Sequence, residues 1–144
     1  MIFFYKPGEE ESKAYKDVYR TVAEKLYGVI KLGAIDCSND EELCEEFAVY
    51  DTPKLMVFQE NYSDEGEAYK GDIDEKKLSS FATSRMQNFV SVVNKDNYNA
   101  FIDREFSRYH VLIFTERKTT APLFKALSKT YKERLQFGEV RKSE

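Results

Sequence analysis

Leu43-Cys44-Glu45-Glu46-Phe47-Ala48-Val49-Tyr50-Asp51-Thr52-Pro53, followed at once by Lys54-Leu55-Met56-Val57-Phe58, decides how the first half of the chain folds. Leu43, Cys44, Phe47 and Ala48 recur at helical spacing and predict the inner face of a short helix. Thr52-Pro53 stops that pattern, because proline has no N–H and disfavours the helical region for the residue before it. Lys54 to Phe58 is short and mostly apolar, which predicts a buried strand.

Working upstream, Asp36-Cys37-Ser38-Asn39-Asp40 separates this helix from a segment rich in β-branched residues, Val29 to Ile35, expected as a strand. Before it, apolar positions 14, 15, 18, 19, 22, 23 and 26 predict a helix with Gly28 as its stop. Glu9-Glu10-Glu11 stand where the positive end of that helix favours anions. Ile2 to Tyr5 is an apolar strand closed by the turn Lys6-Pro7-Gly8. Downstream, Asn61 to Gly66 reads as a polar turn and Glu67 to Lys70 as a hairpin partner of strand 54–58. Asp72 to Met86 reads as an amphipathic helix carrying Ile73, Leu78, Phe81 and Ala82. The order β-α-β-α-β-β-α predicts an α/β sheet with parallel pairing and one antiparallel edge.

The alternation then restarts. Strands are expected at Phe89–Val93, Val111–Thr115 and Phe137–Val140. Helices are expected at Asp96–Phe106 and at Pro122–Leu135, the latter with apolar positions 123, 124, 127 and 131. This gives two units, 1–86 and 87–144.

Composition agrees with folded units. Apolar residues make up 42% and aromatic residues 15% of the 144 residues, enough bulk for a packed core. No apolar run is long enough to span a bilayer, so no membrane partner is expected. Residues 1–85 carry 11 Lys/Arg against 19 Asp/Glu and residues 86–144 carry 11 against 7, which reads either as solvated helix faces or as two units with different surfaces. A net charge of −4 without a basic block argues against nucleic acid as the main partner. Met1-Ile2-Phe3-Phe4-Tyr5 lacks the basic start of a secretory signal, which leaves either a cytosolic chain or a piece of a longer secreted one.

Four stretches, in this order and spacing, resemble the protein disulfide isomerase branch of the thioredoxin superfamily. Phe4-Tyr5-Lys6-Pro7 is similar to the strand end that leads into the family's Cys-x-x-Cys loop. Lys31-Leu32-Gly33-Ala34-Ile35-Asp36-Cys37 is similar to the next strand. Leu43 to Pro53 resembles the stretch ending in the family's cis-proline, and Lys54 to Phe58 the strand after it. The resemblance covers 1–85, with 88–141 as a weaker partial copy. It implies a thioredoxin-like mixed sheet flanked by helices, followed by a partial second thioredoxin-like unit. Either the chain is an excised stretch of a multidomain protein, or strand 89–93 and its helix complete the first unit in permuted fashion.

The departures bear on chemistry. Aligned on Phe4-Tyr5, the family's two cysteines fall on Glu9 and Ser12, and neither is a thiol. Thiol–disulfide exchange needs a thiolate and a resolving thiol, so no catalytic residue is expected in this loop. In the second copy the similar place reads Arg117-Lys118-Thr119-Thr120-Ala121-Pro122, again without cysteine. The resemblance implies a site that binds unfolded client polypeptides around Tyr5, Pro7, Thr52 and Pro53, in the endoplasmic reticulum. Two alternatives stand beside it: an active isomerase whose catalytic domain lies outside this chain, and a cytosolic thioredoxin-like adaptor.

Cys37 and Cys44 have the wrong spacing for Cys-x-x-Cys chemistry, and with a single histidine they form no zinc set, so no metal or other cofactor is expected. Some members of the family carry a structural disulfide at the similar location, and the resemblance implies one here. The alternative is a pair of reduced thiols. His110 is expected as a strand-flanking surface residue. Asn61-Tyr62-Ser63 is an N-glycosylation sequon. The strand Val111–Thr115, lacking the partner that its family position implies, is expected to present an open edge to the first unit or to another chain.

Overall fold

Phe3 and Phe4 point to opposite faces of the four-residue strand β1 (Ile2–Tyr5), and each anchors a separate apolar cluster. This computed structural model describes residues 1–59, 66–103 and 109–142. It divides into two compact units, Met1–Arg85 and Met86–Glu144.

In the first unit β1 is followed by α1 (Glu10–Lys25), β2 (Gly33–Asp36), α2 (Glu41–Glu46), β3 (Lys54–Val57), β4 (Glu67–Ala68) and α3 (Glu75–Ser84). The sheet order is β2-β1-β3-β4. On the Phe3 face lie Tyr19, Val22 and Leu26 of α1 and its C-terminal turn, with Leu78 and Ala82 of α3. On the Phe4 face lie Cys44 of α2, Cys37, Val49 and Met56. A mixed sheet with helices on both faces is the thioredoxin-like α/β arrangement. Phe4 is wholly excluded from solvent, and burying such a side chain is worth about 1.5–3 kcal/mol.

Strand β2 pairs parallel to β1, whereas β3 runs antiparallel to it, with Phe4 opposite Lys54. Parallel pairing was expected for β3. The direction reverses because α2 has only six residues, about 9 Å of helix, and residues 47–53 lead back to the end of the sheet at which β2 finished. Strand β2 begins at Gly33 rather than Val29. Leu26 accepts from the N–H groups of both Val29 and Ile30, and Gly28 sits at φ +74°, so 26–30 form a turn that ends α1. Helix α3 starts at Glu75 and not at Asp72 because Asp74 caps it, its side chain accepting from the N–H of Lys77. Leu43 and Ala48, expected on the inner face of α2, are exposed.

Helix α2 ends in a Schellman turn: Val49 N–H donates to Cys44 O and Ala48 N–H to Glu45 O. Ala48 takes the left-handed position, φ 53°. Val49 and Cys44, the two residues such a turn brings together, are both buried.

The second unit has β5 (Val90–Val92), α4 (Tyr98–Asp103), β6 (Tyr109–Thr115), α5 (Pro122–Thr130) and β7 (Leu135–Arg141). Its sheet is parallel, in the order β5-β7-β6. Helix α5 stops at Thr130, and a turn through 131–134 feeds a seven-residue β7, longer than expected. Leu123, Leu127 and Tyr131 are exposed while Phe124 packs on Phe137. His110 lies within β6, half-buried and edge-on to Phe101, rather than at a surface flank. The sequon at Asn61 and the end of the expected helix 96–106 lie outside the described residues.

Candidate functional site

The turn after β1 closes with Glu9 N–H donating to Lys6 O at 3.2 Å, and α1 starts one residue later. Glu9 holds the N-cap position in extended conformation, but its side chain makes no cap bond. It reaches across the fold instead. Its Oε2 accepts from Thr52 Oγ1 at 2.7 Å and from Ser12 Oγ at 2.9 Å. Ser12 is buried, and its Oγ also accepts from Lys6 N–H at 3.4 Å. Thr52 can stand opposite Glu9 because the antiparallel pairing of β3 with β1 sets Lys54 beside Phe4. The Thr52–Pro53 peptide is cis.

Glu9, Ser12 and Thr52 therefore meet at the mouth of the β1–α1 turn. Tyr5 is half-buried, stacked on Phe3 with ring centroids 5.3 Å apart. Pro7 stands exposed in the turn, and Pro53 is half-buried at the start of β3. The hydroxyl donors hold the Glu9 carboxyl below its ordinary value, Thr52 contributing most and Ser12 next. Such a carboxylate is a weak general base, and the hydroxyl of Ser12 has no solvent access for attack on a substrate. The arrangement offers an anion and half-buried aromatic and proline surface, and its residues carry no thiol.

Cys37 follows β2, its N–H donating to Tyr5 O at 2.9 Å, and Cys44 lies on α2. They form a disulfide with S–S 2.05 Å and Cα–Cα 5.8 Å. Both residues are buried beside Phe4, Val49 and Met56. The bond fixes α2, from which the 47–53 segment carries Thr52 to Glu9. Among the described residues no group of three metal-ligating side chains occurs, and no helix is long and apolar enough to cross a membrane.

A second polar cluster escaped the sequence reading. Glu139, on the central strand of the second sheet, is 1% exposed. Its Oε1 accepts from Thr120 Oγ1 at 2.8 Å and from Arg141, and Thr120 in turn accepts from Asn88 Nδ2 at 3.2 Å. The signal was a charged residue inside the run Phe137 to Val140, where the sheet's alternation demands burial.

The fold and this site define a thioredoxin-class unit, and the Thioredoxin family model matches residues 2–84. The chain belongs to the thioredoxin family. Among curated relatives, a Dictyostelium discoideum protein named "Putative protein disulfide-isomerase" is 32% identical over 98% of this chain and 36% of its own length. The rice protein named DnaJ protein ERDJ3A is 23% identical over 97% of this chain and 25% of its own length. Among solved structures, ERdj5 form II superposes with a TM-score of 0.66 at 20% identity, covering 97% of this chain and 20% of that one. The chain thus spans about a third or less of these proteins.

Proposed function

We propose that this chain is a redox-silent, polypeptide-binding portion of a protein of the disulfide isomerase type, working in the endoplasmic reticulum. The observation that carries this reading is the Glu9 carboxylate bound to Thr52 and Ser12, at the place where the family resemblance would put a reactive thiol pair. The chain's two cysteines are bonded to each other and buried, which denies a substrate access to either sulfur. A cystine of this kind suits an oxidising compartment, and the relatives' names point to the same one. An extended client segment would lie along Tyr5, Pro7 and Thr52–Pro53, pairing with backbone groups that the proline leaves without a partner. The names of the longer relatives favour a second reading of the whole polypeptide, with thiol catalysis carried outside residues 1–144.

A titration of the isotope-labelled chain with a reduced, alkylated polypeptide tests the binding. Amide shifts should concentrate at Tyr5, Glu9, Thr52 and Lys54. Shifts spread evenly over both units, or none at saturating client, refute the site. Insulin reduction by this chain should equal that of a Cys37→Ser, Cys44→Ser control, and activity above that control refutes the redox-silent assignment. The cystine also supports an oxidising compartment, and its redox state tests that reading. Two thiols alkylated in native, unreduced protein would remove the case for an oxidising one.

A further inference from the structure

Thr52 turns its side chain toward Glu9 and leaves its main chain free. Its Oγ1 donates to Glu9 Oε2 at 2.7 Å, and Ser12 Oγ donates to the same oxygen at 2.9 Å. Among the described residues Glu9 Oε1 has no hydrogen-bond partner, and neither has the main chain of Asp51 or Thr52. Both of these residues precede the sheet, since β3 begins at Lys54. One carboxylate oxygen and one short stretch of main chain are therefore open on the two sides of the Thr52–Glu9 bond.

Strand geometry dictates what an extended segment lying on that main chain would present to Glu9. In an antiparallel pair, directly opposed residues carry their side chains on the same face, with Cβ atoms about 4.5–5.5 Å apart. A client residue paired with Thr52 thus sends its side chain to the face on which Thr52 meets Glu9. Few cations serve that face. Lys54 is engaged with Asp51 at 3.8 Å. Lys6 is exposed in the turn, and its charge is the weakest of the influences on the Glu9 carboxyl. The run from Asp36 to Asp51, which leads into Thr52, holds seven acids and no lysine or arginine. Glu9 Oε1 is left as an acceptor without a cation of its own.

Resting on the polypeptide-binding reading above, we infer that Glu9 sets the specificity of the site, and that the client residue paired with Thr52 is a lysine or arginine. A long cationic side chain reaches Oε1 from that position and forms a charge-assisted bond, while Thr52 and Ser12 keep Oε2. A neutral side chain gains the main-chain pairing alone. An aspartate or glutamate there meets Glu9 with like charge and is rejected. The clients selected are therefore extended segments with a basic residue in their middle, and purely apolar or acidic segments bind less well. Because the selection is electrostatic and the site is open to solvent, salt weakens it.

Three blocked, cysteine-free peptides of one extended sequence, with lysine, glutamine or glutamate at a single central position, test this by fluorescence anisotropy against the 144-residue chain. The lysine peptide should bind about 5-fold more tightly than the glutamine peptide, the scale of a solvent-accessible ion pair, and the glutamate peptide should bind most weakly. High salt should narrow the spread. Glu9→Gln should bring the lysine and glutamine peptides together, and Glu9→Lys should invert the order so that the glutamate peptide binds best. Amide protection at Val49 and Leu55 equal to that of the unsubstituted chain shows that a variant is folded. Equal binding of the lysine and glutamine peptides by the unsubstituted chain would overturn the proposal. So would a lysine preference that survives in both folded variants, which would move the selection to the acids of 36–51. A chain that binds none of the three peptides refutes polypeptide binding itself, so the failure of that reading is distinct from the failure of this one.

Discussion

The hydroxyl of Thr52 lies 2.7 Å from the carboxylate of Glu9, across 43 positions of sequence. This bond joins the start of α1 to the strand that follows Pro53, and it fixes the ionisation of the group at the centre of the candidate site. Glu9 titrates below its ordinary value because Thr52, then Ser12, donate to its charged form. A carboxyl whose folded value is depressed stabilises the fold above the unfolded value, and that contribution disappears as pH falls through the folded one. Side-chain carbon shifts followed through an acid titration should therefore place Glu9 below an ordinary glutamate, about 4.3. Thr52→Val, which removes the larger donor, should move the midpoint upward. An unchanged midpoint in Thr52→Val would show that the bond does not form in solution.

The cystine stabilises the first unit by limiting its unfolded chain. Closing the short loop between Cys37 and Cys44 is worth about 2–3 kcal/mol on chain-entropy grounds. Denaturant unfolding with and without a thiol reductant should show a stability loss of this order, read from the midpoint at constant slope. Because Cys44 anchors α2, the loss should also weaken amide protection at Val49 and Leu55. Equal midpoints in the two conditions would deny the bond any role in holding the loop that carries Thr52.

The element order was legible because it rests on local signals: helical spacing in α1 and α3, the Lys6-Pro7-Gly8 turn, and Pro53 before β3. The direction of β3 was not, since it depends on where a six-residue α2 leaves the chain. The start of β2 was hidden for a related reason, the carbonyl of Leu26 capturing Val29 and Ile30 into a turn. Periodicity located the apolar stripe Leu123, Leu127 and Tyr131 of α5 but carries no information on what covers it, and the stripe is exposed. Within the site, Glu9, Ser12 and Thr52 were each named through the family resemblance. Their convergence on one carboxylate oxygen is a long-range contact that spacing cannot express.

Gly138 should resist even the smallest side chain. A Cβ built there would fall 2.7 Å from Phe101 Cζ and 2.9 Å from both Leu112 Cδ1 and Val93 Cγ2. In an unconstrained strand, glycine to alanine stabilises by reducing unfolded-chain freedom. Here the added carbon is pressed by three packed side chains on the face of the sheet beneath Phe101. Gly138→Ala should therefore destabilise the second unit by about 1–3 kcal/mol, the cost of overpacking. Amide exchange at Val93 and Gly138 measures it, and a gain in protection would show that Phe101 yields without cost.

Ala48 should be improved by losing its methyl group. It occupies the left-handed position of the turn ending α2, at φ 53°, where an L-residue with a Cβ is strained by roughly 1–2 kcal/mol and glycine is not. The side chain is exposed, so removing it sacrifices no packing. Glycine frees the unfolded chain, which costs about 0.4–1 kcal/mol. The balance favours Ala48→Gly by about 0.5–1 kcal/mol, from the difference between the strain and the entropy. Ala48→Val should move stability the other way, because a β-branched residue fits positive φ worse than alanine. The two variants change the strain at the same backbone angle in opposite senses while leaving the cystine, Glu9 and Thr52 untouched. Unfolding midpoints that rise for glycine and fall for valine are the expected result, and a fall for both would mean that residue 48 does not hold the left-handed conformation in solution.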